Sequence, residues 1–121
     1  MAELDKKAAE LGIDLTARIG DISFKNPIMT ASGTFSARES GAFYDISELG
    51  AAVTKGVALE PWPGNDTPRI AETYGGMLNA VGLQNPGVEE YKKKELPYLK
   101  NYDTKIITNI AGHSIEEYCG A

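Results

Sequence analysis

Only one cysteine, Cys119, occurs in the 121 residues, which excludes an internal disulfide and fits a reducing compartment. No apolar run approaches the ~20 residues that a membrane-spanning helix requires. Residues 1–15 are charged and helix-prone, with no apolar core of the kind a signal peptide carries. Together these absences predict a soluble, cytoplasmic chain. Basic residues are in deficit as well: 12 Lys and Arg against 17 Asp and Glu leave a net charge of −5. That balance argues against a nucleic-acid surface, which needs a basic patch. The one basic cluster, Lys92-Lys93-Lys94, is surrounded by Glu89, Glu90 and Glu95 and reads as the solvated face of a helix.

Hydrophobic residues make up 42% and charged residues 24%, both ordinary for a globular domain. Glycine is in excess, with 13 in the chain against an average of roughly 7%. Such an excess points to tight turns, or to places where backbone lies close to a ligand.

Residues 2–11 pattern as a short amphipathic helix with Leu4, Ala8 and Leu11 on one face, stopped by Gly12. Residues 15–19 and 22–24 alternate around Gly20-Asp21, which predicts a β-hairpin with a two-residue turn. Beyond Asn26-Pro27 the pattern changes. Three short apolar runs follow, at 28–31, 51–54 and 106–110, of the kind that form strands buried on both faces of a parallel sheet. Helical segments are expected between them, at about 37–49 and 88–100, with Pro97 breaking or kinking the second. Ser114-Ile-Glu-Glu117 matches a capping box that opens a third helix. The order is therefore β-α-β-α-β-α, with right-handed parallel crossovers. A (β/α)₈ barrel needs about 250 residues, of which this chain would supply three units. An open doubly wound sheet could end nearer this length, so the pattern alone leaves both architectures open.

In either architecture a ligand sits at the carboxyl ends of the strands. Polar residues cluster there: Ser32-Gly33-Thr34, Lys55-Gly56 and Asn109. The stretch 57–87 leaves from the same end, and its roughly 30 residues far exceed an ordinary βα loop. It carries Trp62, Tyr74, Met77, Leu78, Val81 and Leu83, side chains that favour burial, together with Asn79, Gln84 and Asn85. That mixture suits either a flat polar ligand held between apolar surfaces or a structured cover over the mouth of the sheet. Lys55, at the end of a buried strand, either meets an anionic group or snorkels to solvent. Gly56 either lets backbone approach a planar ring or ends the strand.

Five segments carry a resemblance: residues 28–34 (IMTASGT), 53–56 (VTKG), 64–72 (GNDTPRIAE), 76–87 (GMLNAVGLQNPG) and 108–112 (TNIAG). They are similar, in order, to the class 1 dihydroorotate dehydrogenases. The likeness runs from about Leu15 to the last residue and is most specific over 76–87, whose form resembles the NAD-linked class 1B. It implies the N-terminal portion of an FMN-binding TIM (β/α)₈ barrel. On that view 1–14 form an N-terminal helix, 15–26 a hairpin closing the barrel bottom, and 27–121 the first three β/α units. It further implies that Ser32, Lys55, Gly56 and Asn109 contact FMN. Lys55, Asn79, Ala80, Val81, Gly82 and Leu83 would hold dihydroorotate, the substrate, or orotate, the product. In the family a proton leaves C5 and hydride passes from C6 to flavin N5. Electrons then leave through a partner subunit carrying FAD and an iron–sulfur cluster, ending on NAD⁺, in a homodimer within a heterotetramer.

The family's base is a cysteine on the loop after the fourth strand, so no catalytic residue and no metal site is assigned within the chain. Cys119 reads instead as a small buried hydrophobe, and His113 as structural. The chain alone is expected neither to turn over dihydroorotate nor to hold FMN tightly. Two alternatives are the flavin domain of a dihydropyrimidine dehydrogenase and a non-catalytic α/β binding module.

Overall fold

The computed structural model describes residues 3–121, so the predicted helix start at Ala2 lies outside the described residues. Helix α1 (Glu3–Glu10) has its first free N–H groups taken by a side chain from elsewhere. The Glu48 carboxylate accepts from Glu3 N at 2.7 Å and Leu4 N at 2.9 Å, which satisfies donors that a helix leaves open. Of the predicted apolar face only Ala8 is buried; Leu4 is 40% and Leu11 66% exposed. Strands β1 (Ala17–Ile19) and β2 (Ile22–Phe24) pair antiparallel across Gly20-Asp21, with Ile19 opposite Ile22. Gly20 has φ +57°, the left-handed conformation such a turn demands. Phe24 is buried. Lys25 follows it and ties three elements together, lying 3.7 Å from Asp5 and 3.3 Å from Asp103 and donating to the Ser47 carbonyl.

The parallel strands stand side by side in sequence order. Met29 bridges Ala51 in β3 (Ala51–Val53), and β3 pairs with β7 (Lys105–Ile107) from Ala51–Lys105 to Val53–Ile107. The first predicted strand, 28–31, is reduced to that single bridge. Its side chain explains why: Thr30 Oγ1 donates to Val53 O at 3.1 Å and accepts from Val53 N at 2.8 Å. A hydroxyl thus takes the place of a main-chain ladder step. The second and third strands also run on past their predicted ends, as β4 (Val57–Ala58) paired with β8 (Ile110–Ala111).

The predicted helix over 37–49 is two pieces. Helix α2 (Ala37–Ser40) stops at Gly41, and a 3₁₀ turn, Ile46–Glu48, restarts where the Asp45 carboxylate accepts from Ser47 N at 2.9 Å. Those hydrogen bonds hold the Asp45 carboxyl below the usual carboxylate range. The capping contribution is therefore full above the ordinary value of about 4. It is lost as pH falls through the lowered folded value. Asp45→Asn keeps an acceptor without the charge, so its urea midpoint is expected to fall less than the native one between neutral and acidic pH.

The segment 88–99 is continuously helical: α3 (Val88–Glu90), a π turn over Tyr91–Glu95, and α4 (Leu96–Leu99). Pro97 does not break it. Proline's ring crowds the carbonyl four residues back, here Lys93, and the wider π turn lies over that carbonyl. Lys92 and Lys94 face solvent, paired with Glu89 and Glu90. Between the helices and the sheet lies the core: Phe35, Ala37, Ile46, Leu49, Ala52 and Leu99, with Tyr98, Tyr102 and Ile106 packed against it. No closed barrel is present among the described residues, and no helix among them is long and apolar enough to cross a membrane.

Candidate functional site

The pairing of the second and third strands shifts register between their two halves. Three residues, Thr54-Lys55-Gly56, separate β3 from β4, whereas two, Thr108-Asn109, separate β7 from β8. The second strand therefore carries a one-residue bulge at Lys55, held by Thr54 N→Ile107 O at 3.0 Å and Val57 N→Asn109 O at 2.9 Å. Bulges re-aim side chains and are common beside active sites. Thr54 and Gly56 are buried while Lys55 between them is exposed. Lys55 Nζ has no hydrogen bond or ion pair among the described residues, and Asn109 Nδ2 donates to Ser32 Oγ at 2.7 Å. That bond brings together the predicted residues of the first and third strand ends.

The excursion 57–87 is ordered by its own polar contacts. Trp62 and Asn85 form an antiparallel bridge, and Asn65 accounts for two further links, its N donating to Val81 O at 3.0 Å and its Nδ2 to Ala80 O at 2.9 Å. Arg69 donates to Gln84 Oε1 at 3.0 Å and to Pro63 O at 3.1 Å. Beyond this base stands a hairpin of β5 (Ile70–Thr73) and β6 (Gly76–Asn79). Tyr74, Met77 and Leu78 on it are exposed, contrary to the burial expected of them, as is every other residue of the two strands.

The segment after β6 returns to the strand ends. A Cβ placed on Gly56 would lie 3.3 Å from Leu83 Cδ1, so Leu83 sits against the residue that follows Lys55. Ala80, Val81 and Gly82 lie next to it, braced by Asn65; Asn79 ends β6 opposite Ile70. Asn85 is buried at 6% exposure, and its side chain makes three hydrogen bonds, to Ala58 N, Gly87 N and Leu83 O. Neither Asn85 nor Asn65 was singled out in the sequence as a structural anchor. The readable signal was an asparagine set among glycines at 82 and 87, the pattern of a side chain that mimics a backbone turn.

A cavity of about 270 Å³ reaches Lys55 and Gly56 and is otherwise lined by Phe35, Asn85, Tyr91 and Leu99, among others. It touches neither Ser32, Asn109 nor 79–83. Core residues wall it, so it lies on the helix side of the second strand; of the predicted residues it takes in Lys55 and Gly56 alone.

His113 stacks on Trp62, ring centroids 4.1 Å apart and planes at 21°, which ties the loop after the third strand to the excursion. Helix α5 (Ile115–Gly120) is capped by Ser114, whose hydroxyl accepts from Glu117 N at 3.3 Å. The Glu117 carboxylate reaches back to His113 N at 2.6 Å, one residue before the cap. Cys119 is exposed, a correction to its expected burial. The helix turns Gly120 toward Leu59, so the neighbouring residue points elsewhere.

A sequence profile described as "Dihydroorotate dehydrogenase" matches residues 14–121. The chain belongs to the dihydroorotate dehydrogenase family. Among curated relatives, it is 61% identical over 108 residues to the "Dihydroorotate dehydrogenase B (NAD(+)), catalytic subunit" of Alkaliphilus metalliredigens, covering 88% of this chain and 36% of that protein. The similarly named protein of Alkaliphilus oremlandii is 62% identical over 107 residues, covering 88% and 35%. That of Bacillus caldolyticus is 54% identical over 105, covering 86% and 34%. The chain thus spans about a third of the length of these dihydroorotate dehydrogenases. The matched region includes the bulge, the excursion and α5, so every element around Lys55 falls within it.

Proposed function

We propose that this chain supplies one wall of an FMN-dependent dihydroorotate-oxidising site, built at the strand ends of the first three units of a TIM barrel. The observation that carries the reading is the approach of Leu83 to Gly56, beside a lysine whose Nζ has no protein partner among the described residues. On this reading segment 79–83 and Lys55 would stand on two sides of the bound ligand.

The donor set suits a flavin. Lys55 offers a cation, Asn109 retains an unused amide N–H and carbonyl beyond its bond to Ser32, and Gly56 presents no side chain. These residues, with Ser32, would hold FMN, which when bound supplies the acceptor for the hydride leaving C6. Lys55 would also meet the substrate carboxylate, and its charge would favour negative charge arriving beside it. Asn79 and the backbone of Ala80, Val81, Gly82 and Leu83 would hold the pyrimidine ring through amide donors and acceptors. The C5 proton is assigned to no residue of this chain: His113 is committed to a stack and Cys119 lies on the outer face of α5.

The relatives' printed names support NAD⁺ as final acceptor and, through the words "catalytic subunit", a second subunit. We assign that partner FAD and an iron–sulfur cluster, the assembly a heterotetramer around a homodimer, and its compartment the cytoplasm. Anaerobic addition of dihydroorotate to the flavin-loaded catalytic subunit containing this sequence is expected to bleach the oxidised flavin and release orotate. Failure to bleach, or bleaching reversed by uracil rather than orotate, would contradict the proposal and favour a dihydropyrimidine-type activity. Gly56→Ala offers a finer check. The atoms nearest its Cβ would be the flexible end of Leu83 and the Ala111 methyl, so stability should change by less than about 1.5 kcal/mol. Displacing Leu83 should nonetheless weaken orotate binding about tenfold, read by titrating the flavin spectrum.

A further inference from the structure

We propose that Asn85 is a positioning residue that sets the shape of the substrate-facing segment 79–83. The inference rests on the reading of that segment given above and goes beyond it, since the Asn85 side chain bonds only to backbone among the described residues.

Leu83 is the starting point. It has φ +50°, the sole non-glycine residue with positive φ among those described, and it follows Gly82 at φ +78°. A side chain with a Cβ disfavours that conformation, so something must hold it. Such outliers persist where the surroundings over-determine them, and they concentrate at ligand clamps. Among the described residues the only side-chain hydrogen bond to the Leu83 carbonyl comes from Asn85 Nδ2 at 3.0 Å.

The other end of the same carboxamide is fixed independently. Asn85 Oδ1 accepts from Ala58 N in β4 at 3.1 Å and from Gly87 N at 3.0 Å. Two N–H donors on one atom and a carbonyl facing the other leave the amide a single orientation. Its backbone is held as well, Trp62 N donating to Asn85 O at 2.9 Å and Asn85 N to Trp62 O at 3.1 Å. A buried amide clamped to the second strand thus points one N–H at one carbonyl. That carbonyl belongs to the residue whose side chain touches Gly56, next to Lys55. The distance between segment 79–83 and Lys55 is therefore set through Asn85.

Asn85→Asp isolates this role. Aspartate keeps both acceptor bonds, to Ala58 and Gly87, but turns an oxygen toward the Leu83 carbonyl, replacing attraction with repulsion at one atom. In the flavin-loaded catalytic subunit, N85D is expected to raise KM for dihydroorotate by about tenfold or more. The change in kcat should stay within about threefold, and flavin content should be unchanged. Glycine adopts positive φ without help. In a Leu83→Gly background, N85D should therefore cost less than about threefold in KM, a coupling that a merely structural residue would not produce. An unchanged KM in N85D, an equal loss in both backgrounds, or loss of folded flavoprotein in N85D would each overturn the proposal. If instead the unaltered protein fails to bind orotate, the reading of 79–83 fails first, and that outcome is distinct from wild-type binding that N85D leaves intact.

Discussion

Replacing Lys55 by methionine is expected to slow flavin reduction by dihydroorotate by about 10²–10³-fold while changing stability by no more than about 0.5 kcal/mol. The two halves of that expectation come from different features. Lys55 is exposed and donates to no protein group among those described, so the fold loses nothing when its charge is removed, and methionine retains most of the apolar stem. The bulge is a backbone feature, held by the Ile107 and Asn109 carbonyls, and does not depend on the side chain. The proposed function, by contrast, asks Lys55 to face both the substrate carboxylate and the place where hydride arrives. Stopped-flow reduction under anaerobic conditions reads the rate, and a urea titration reads stability. A rate within about threefold of the native one would remove Lys55 from the site.

Gly50→Ala is expected to have the opposite profile, destabilising the fold by about 3 kcal/mol through overpacking. A Cβ at position 50 would lie 2.0 Å from the Asn26 backbone oxygen, a contact no rotamer change can relieve. Asn26 is itself 1% exposed, accepts from Ile28 N and Gly50 N, and donates to Glu48 O. Movement there would detach the first strand from the second and unseat Ser32 from Asn109. The measurement is the urea midpoint of G50A in the catalytic subunit; a midpoint equal to the native one would mean that the Asn26 turn yields without cost.

How much of this could be read from residues alone depends on whether a feature is local. The Gly20-Asp21 hairpin and the Ser114 cap are short-range patterns, and both stand where expected. The side-by-side parallel order also followed, because three unbroken apolar runs separated by helical segments admit few arrangements. The bulge at Lys55 could not be read. It is a difference between two strands about fifty residues apart, three linking residues against two, and exists only once they pair. The single helix expected over 37–49 failed for a local reason of the other kind. Gly41 ends it and Asp45 restarts it, and both signals were present but weaker than the apolar spacing. At the site, Lys55, Asn109 and Ser32 stood out as polar residues after apolar strands. Asn85 stood out only as one of three amides suited to a ligand and not as an anchor, since its value lies in three backbone partners spread from Ala58 to Gly87.

The most direct test of the whole account is a structure of the complete flavin-loaded catalytic subunit with orotate bound. The account predicts orotate between Lys55 and segment 79–83, with its carboxylate on Lys55 Nζ and Leu83 retaining positive φ. Orotate bound without contact to Lys55 or to any residue of 79–83 would contradict it.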